Sequence, residues 1–343
     1  MRYIGGKSNL LQDISGLISQ FTDGVRRIID IFSGSGVVAS HFKSLGYEVV
    51  GNDMLYFAYV LSRGSTALNS MPTFRKLGIV APLDYLNDLT LEGSGFRLED
   101  CFIYQNYSPH DKIPRMYFQK CNAIKIDIIR MTIEKWKQMG LIDEDEYFYL
   151  LAALIAAVPY VSNITGVYGA YLKHWDKRTY NSLKLVSPNI CDRGKATFHN
   201  QNGDLLLPII SADLLYADPP YNARQYLPNY HILETVARYD RPKIHGVTGM
   251  RNYSEVEKSA FCARSGVESA FRRMIQKANV RYVVISYSSD GLLSKEQISS
   301  ICQEFAVKNS FRCRDIEYRR YSNVGTKTGK VRELLFFFEK QYK

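Results

Sequence analysis

Several devices that stabilise or anchor small proteins are missing from this sequence. Its six cysteines, Cys101, Cys121, Cys191, Cys262, Cys302 and Cys313, are scattered, with no Cys-x-x-Cys pair and no Cys/His cluster at zinc-ligand spacing. That pattern excludes a zinc motif and a disulfide-stapled framework; reduced thiols and no metal site are expected. No apolar run reaches the roughly 20 residues of a membrane span. The most apolar stretch, Tyr147 to Val161, is shorter and contains Pro159, so it is expected as a buried helix and no membrane partner is expected. The opening Met-Arg-Tyr-Ile-Gly-Gly-Lys lacks the apolar core of a signal peptide, which points to a cytoplasmic protein. Internal repeats and low-complexity tracts are absent too, excluding solenoids and long disordered linkers. Acidic residues are in deficit, 34 Asp and Glu against 44 Lys and Arg, and the net charge of +10 favours a polyanionic partner such as nucleic acid.

What is present is a chain of 343 residues, 46% hydrophobic, enough for one large core or two unequal domains. Arg26 to Phe32 is a short β-rich apolar run that ends in Ser33-Gly34-Ser35-Gly36, after which Val37 to Leu45 has helical spacing. Tyr47 to Gly51 is a second β-rich run, closed by Asn52-Asp53 and followed by a helical segment from Met54 to Arg63. Two such units in succession imply a parallel sheet covered by helices. From Thr73 to Lys195 the rhythm stops, and mixed loops, aromatics and helical stretches such as Tyr117 to Met139 take over. It resumes at Thr197 to Leu205 and Asp213 to Ala217, with further strands at Arg281 to Tyr287, Cys313 to Tyr321 and Arg332 to Glu339. The expected fold is α/β, a Rossmann-like doubly wound domain formed by residues 1–72 and 196–343 and interrupted by a mainly helical insertion, 73–195.

In an open parallel sheet, ligands sit at the carboxyl ends of strands, where loops converge and helix N-termini offer unpaired N–H groups. The distinctive motifs lie at such ends. Asp30-Ile31-Phe32-Ser33-Gly34-Ser35-Gly36 is a glycine turn that departs from the dinucleotide fingerprint at Ala39 and, lacking Gly-Lys-Ser/Thr, is no phosphate loop. Asp53 ends the second strand about 20 residues beyond, the spacing that suits a ribose diol. Together they point to an adenosine-containing cofactor. Asp218-Pro219-Pro220-Tyr221 follows a strand directly; its two prolines remove two N–H donors and stiffen the turn, fixing a carboxylate relative to a ring.

Taken in order, these elements resemble the alpha-class, Asp-Pro-Pro-Tyr-type DNA adenine-N6 methyltransferases, which include the methylases of type II restriction–modification systems and the Dam-type methylases. The resemblance rests on Arg2 to Lys7, Asp30 to Gly36, Asn52-Asp53, Gly203-Asp204 and Asp218 to Tyr221, and covers roughly 1–70 and 195–340. It implies S-adenosylmethionine as cofactor. Tyr3, Gly5 and Lys7 would then close over its methionine end, Asp30, Phe32, Gly34 and Gly36 would line the methionine and ribose, Asp53 would bind the ribose hydroxyls and Asp204 the adenine amino group. The amino lone pair of a substrate adenine is delocalised into its ring, so the Asp218 carboxylate and the Pro219 carbonyl would draw the nitrogen toward tetrahedral geometry, Pro220 would stiffen the turn and Tyr221 would stack on the extruded base.

Double-stranded DNA is the partner so implied, read by the insertion. The candidates for contact are Arg224, Gln225 and Tyr226 after the catalytic motif, Lys173, Lys177 and Arg178 in the insertion, and Lys327 and Lys330 in a Gly-containing loop. His231 reads as a capping or core residue. A prokaryotic, nucleoid-associated monomer or weak dimer, accompanied by a cognate restriction endonuclease, completes the expectation. Four alternatives stay open on the sequence: an RNA adenine methyltransferase, a cytosine amino methyltransferase, a non-catalytic cofactor-binding regulator, and a dehydrogenase.

Overall fold

The computed structural model describes residues 6–111, 113–318 and 331–341. Over these residues the chain forms two compact units, one from 55–192 and 227–253, the other from 7–54, 193–226 and 254–343.

The second unit is built on seven strands: β1 (Arg27–Asp30), β2 (Glu48–Asn52), β3 (Lys195–His199), β4 (Leu214–Ala217), β5 (Tyr282–Ser288), β6 (Arg312–Tyr318) and β7 (Val331–Glu339). Their order is β3-β2-β1-β4-β5-β7-β6. The first five run parallel, while β7 is antiparallel to both β5 and β6. Ile28 and Ile29 of β1, all four residues of β4 and all seven of β5 are buried, the near-continuous apolar reading of strands covered on both faces. One core gathers Ile29, Val50, Leu215, Phe271, Ile285 and Phe336. Helices α1 (Leu11–Phe21) and α2 (Val37–Ser44) pack with this unit, as do Val267–Lys277 and Lys295–Phe305. The sheet turns back between β1 and β4, and that reversal creates a crevice outside their carboxyl ends.

The α/β fold expected from the sequence is therefore present, with two local differences. The stretch Thr197 to Leu205 is not one strand: β3 ends at His199, and Gly203–Leu206 forms a single helical turn capped by Asn202, whose side chain accepts the Asp204 N–H at 2.9 Å. Asn and Gly there favour a cap over a strand. The last strand pair begins one residue earlier than expected on each strand, at Arg312 and Val331.

The first unit is mainly helical and contains Lys120–Gln138, Glu144–Ala157 and most of the helix Tyr226–Arg238. Asp143 and Glu146 form a capping box at the start of the Glu144–Ala157 helix, whose side chains are buried nearly all round; the helix tightens into a 3₁₀ turn at Val158–Tyr160, where Pro159 stands. The segment Tyr56–Arg63 belongs to this unit: Glu234 accepts the N–H groups of Tyr56 and Phe57 at 3.1 and 3.0 Å, and a Cβ on Gly64 would strike the Phe148 carbonyl. Residues 55–72 and 227–253, expected within the sheet-bearing domain, thus pack with helices. Among the described residues, no helix is long and apolar enough to cross a membrane.

Candidate active site

The glycine turn after β1 requires left-handed backbone at Gly34 (φ 51°) and Gly36 (φ 77°), conformations that cost an L-residue about 1–2 kcal/mol. Side chains from the adjacent strand ends lock it. Asp53 accepts the Gly34 N–H at 2.9 Å, and the Ser33 N–H and hydroxyl both donate to the Asn52 carbonyl, at 2.9 and 3.1 Å. Asn52 in turn donates to the carbonyls of Ile31 and Gln201, and Asn200 to those of Asp53 and Met54. The carboxyl ends of β1, β2 and β3 are thereby tied together. Phe32 meets Phe261 edge-on, with ring centroids 5.2 Å apart.

Asp30, at the end of β1, is 1% exposed, and neither of its carboxylate oxygens has a hydrogen-bond partner of ordinary geometry among the described residues. Burial drives its pKa well above the usual carboxylate range, and the neighbouring charges of Asp218 and Asp53 add to the rise; the N–H groups of Phe32 and Ala39 offset part of it.

The Asp218 to Tyr221 turn leaves β4 at the same end of the sheet. Lys7 Nζ lies 2.9 Å from Asp218 Oδ1 and 3.1 Å from Glu333 Oε1, and the Ser286 hydroxyl donates to Glu333 Oε1 at 2.6 Å. The Lys7 and Glu333 side chains are buried and that of Asp218 is 18% exposed. Burial raises the Asp218 pKa and the Glu333 charge raises it further, while Lys7 draws it down; the net shift is upward. For Lys7 burial works against the charged form, but its two carboxylates outweigh it and hold the ammonium protonated beyond the ordinary lysine range. One cation between two acids leaves the cluster with a net negative charge. The Tyr221 ring is buried edge-on against Tyr287, at 6.5 Å, and the Tyr221 carbonyl accepts the Leu292 N–H at 2.8 Å.

Asp30, Phe32, Gly34, Gly36, Asp53, Lys7 and Asp218 to Tyr221 thus lie within the sheet unit, most of them at the carboxyl edge. Asp204 is engaged differently: its carboxylate pairs with Arg273 at 3.3 Å and stands 3.9 Å from Lys277 Nζ, on the helix Val267–Lys277. Tyr3 and Gly5 lie outside the described residues. Glu333 and Ser286 escaped the sequence reading, because nothing in the spacing of β5 and β7 shows that their side chains meet Lys7. An acidic residue directly before the apolar run Leu334 to Phe338 was the only available signal.

The candidates for nucleic-acid contact fall into three groups. Arg224, Lys173 and Lys177 are exposed. Gln225 is spent within the protein: its amide donates to the Ser259 carbonyl at 3.1 Å and accepts the Ser259 N–H at 2.8 Å. Arg178 donates to the Ile164 carbonyl and lies 3.7 Å from Asp176, and Tyr226 is half-buried at the start of its helix. Lys327 and Lys330 lie outside the described residues. His231 is a core residue, fully buried beside Tyr107 and Tyr117, its Nε2 2.9 Å from the Tyr168 carbonyl; burial lowers its pKa to about 4.

Comparison with known proteins supplies the family. Residues 3–301 match the family model of the D12 class N6 adenine-specific DNA methyltransferases. The chain is 44% identical to the type II methyltransferase M.FokI of Planomicrobium okeanokoites, over 99% of this chain and 53% of that protein. It is 40% identical to the modification methylase StsI of Streptococcus sanguinis, over 99% and 52% of the two. With the type II methyltransferase M.NlaIII of Neisseria lactamica it shares 34% identity over the full length of both. The chain thus spans about half the length of the first two relatives.

Proposed function

The chain belongs to the D12 class N6 adenine-specific DNA methyltransferases, and from that membership we propose that it methylates the exocyclic amino nitrogen of an adenine turned out of duplex DNA at a specific site. The observation that carries this reading is the placement of Asp218, held by Lys7 at 2.9 Å, at the sheet edge that also bears the glycine turn.

S-adenosylmethionine, when bound, supplies an electrophilic methyl group. The residues fit such a molecule: the glycine turn lets backbone approach closely, and the buried, unpaired Asp30 carboxylate suits a cationic partner. Asp30, Phe32, Gly34 and Gly36 would line it, with Tyr3, Gly5 and Lys7 at the methionine end and Asp53 at the ribose. Asp204 would reach the adenine amino group only with an oxygen left over from its ion pairs with Arg273 and Lys277. For the target base, the Asp218 carboxylate and the Pro219 carbonyl accept hydrogen bonds from the amino group and stabilise the charge that develops there. Pro220 keeps that turn rigid, and Tyr221 offers a ring face to the extruded base.

Residues 73–195 would read the DNA sequence, and 1–72 with 196–343 would carry the chemistry. Lys173, Lys177 and Arg224 would contact phosphates, joined by Lys327 and Lys330. We place the enzyme in the prokaryotic cytoplasm on nucleoid DNA, as a monomer or weak dimer beside an endonuclease that cuts the same site. Incubation with labelled cofactor and either duplex DNA or RNA, followed by nucleoside analysis, tests the reading: label in N6-methyladenine from DNA supports it, and label in RNA alone or in a methylated cytosine overturns it.

A further inference from the structure

Methylation leaves the amino nitrogen with one proton too many. As the N–C bond forms, the pair from the broken S–C bond stays on sulfur; the nitrogen carries a positive charge until an N–H bond breaks and its electron pair returns to the aromatic amine. That proton needs an acceptor. The Asp218 carboxylate stands where the amino group would be held, and the state in which it awaits the proton depends on what surrounds it.

Asp218 is joined through Lys7 to a second buried carboxylate. The run Asp218 Oδ1, Lys7 Nζ, Glu333 Oε1, Ser286 Oγ is continuous, at 2.9, 3.1 and 2.6 Å. It ties the segment before α1 to β4, β5 and β7, and no step described so far uses Glu333. A lone Lys7–Asp218 pair would neutralise the carboxylate and weaken it as a proton acceptor. Glu333 prevents this by taking a share of the ammonium and adding a negative charge on the far side of it. The remaining titratable groups facing Asp218 are Asp30 on β1 and Tyr216 on β4, both buried, and neither brings a positive charge.

We propose that Glu333 is a positioning residue of the methyl transfer: acting through Lys7, and anchored by Ser286, it holds Asp218 in the geometry and charge in which that carboxylate accepts the amino proton. The inference rests on the adenine-methyltransferase reading above.

The test is the pH dependence of single-turnover transfer in wild type and in Glu333→Gln, with cofactor affinity and unfolding midpoint measured alongside. Glutamine keeps the shape and removes the charge, so Lys7 passes to Asp218 alone. The acid limb of the profile should then move down by about one pH unit, and the plateau rate should fall severalfold as the acceptor weakens. Ser286→Ala, which removes only the anchoring hydroxyl, should move the limb less but in the same direction; it alone decides the matter if Glu333→Gln does not fold. An unmoved limb overturns the proposal, whether the rate is unchanged or reduced equally at every pH, since uniform loss is what a purely structural residue gives. Wild-type enzyme inactive on DNA adenine would instead overturn the underlying reading.

Discussion

Lys7 Nζ sits 2.9 Å from Asp218 Oδ1, joining a residue near the beginning of the described chain to the first residue of the turn after β4. Because Glu333 takes the other side of the same ammonium at 3.1 Å, Lys7 separates two carboxylates that would otherwise repel each other in a poorly solvated place. Its contribution is thus structural before it is chemical.

Removing it should be costly. Lys7→Met leaves both acids without their cation, and breaking a buried pair from one side costs about 3–5 kcal/mol. The folded-state pKa of Lys7 lies above its ordinary value, so its stabilisation is fully present at neutral pH and is lost only in strongly alkaline solution. Urea unfolding at neutral pH should show a loss of that order. Midpoints equal to wild type would mean that the ion pairs do not form in solution.

Asp30 makes the opposite case. A buried carboxylate whose charge the N–H groups of Phe32 and Ala39 offset only in part destabilises the native state while it is ionised, so Asp30→Asn should raise stability by about 1–3 kcal/mol at about pH 8. Its folded-state pKa is raised, so the native state takes up the proton first: the contribution of Asp30 is most favourable in acid and is lost as pH rises through the folded value. The advantage of the variant should therefore shrink steadily toward about pH 4. The same variant should bind S-adenosylmethionine poorly by calorimetry. A stability gain that is constant across pH would contradict the assignment.

Arg224 and Gln225 are neighbours with different work. Arg224→Ala should weaken binding to non-target duplex and lower the salt dependence by about one phosphate contact. Gln225→Ala should leave that slope alone, because its amide serves the Ser259 backbone; its effect should appear as faster hydrogen exchange around 254–262. Equal changes in salt slope from both variants would show Gln225 on the DNA instead.

The sheet's beginning was legible because local patterns settle it. Ile28 and Ile29 before a glycine turn, and Val49 and Val50 before Asn52-Asp53, are short β-branched runs closed by turn residues, the pattern of buried strands. Asp218 was legible because two prolines after a strand are locally unmistakable. Glu333 was not, since its meaning comes from Lys7 across the sheet and no periodicity records that contact. The engagement of Gln225 was hidden for the same reason: a polar residue after the motif turns to the Ser259 backbone, a partner 34 residues away that no local pattern marks. The segment Tyr56–Arg63 follows the strand–helix rhythm yet joins the helical unit, because Glu234 and the surface at Phe148 compete for it successfully.

The central claim is that the Asp218 carboxylate acts on the amino group of adenine. It is tested most directly by single-turnover methyl transfer from labelled S-adenosylmethionine to duplex DNA by Asp218→Asn, with cofactor affinity measured in parallel. The amide keeps the shape of the side chain but not its charge, so the rate should fall by on the order of a hundredfold or more, while the cofactor binds nearly as in wild type. A variant that transfers methyl groups at the wild-type rate would contradict the account.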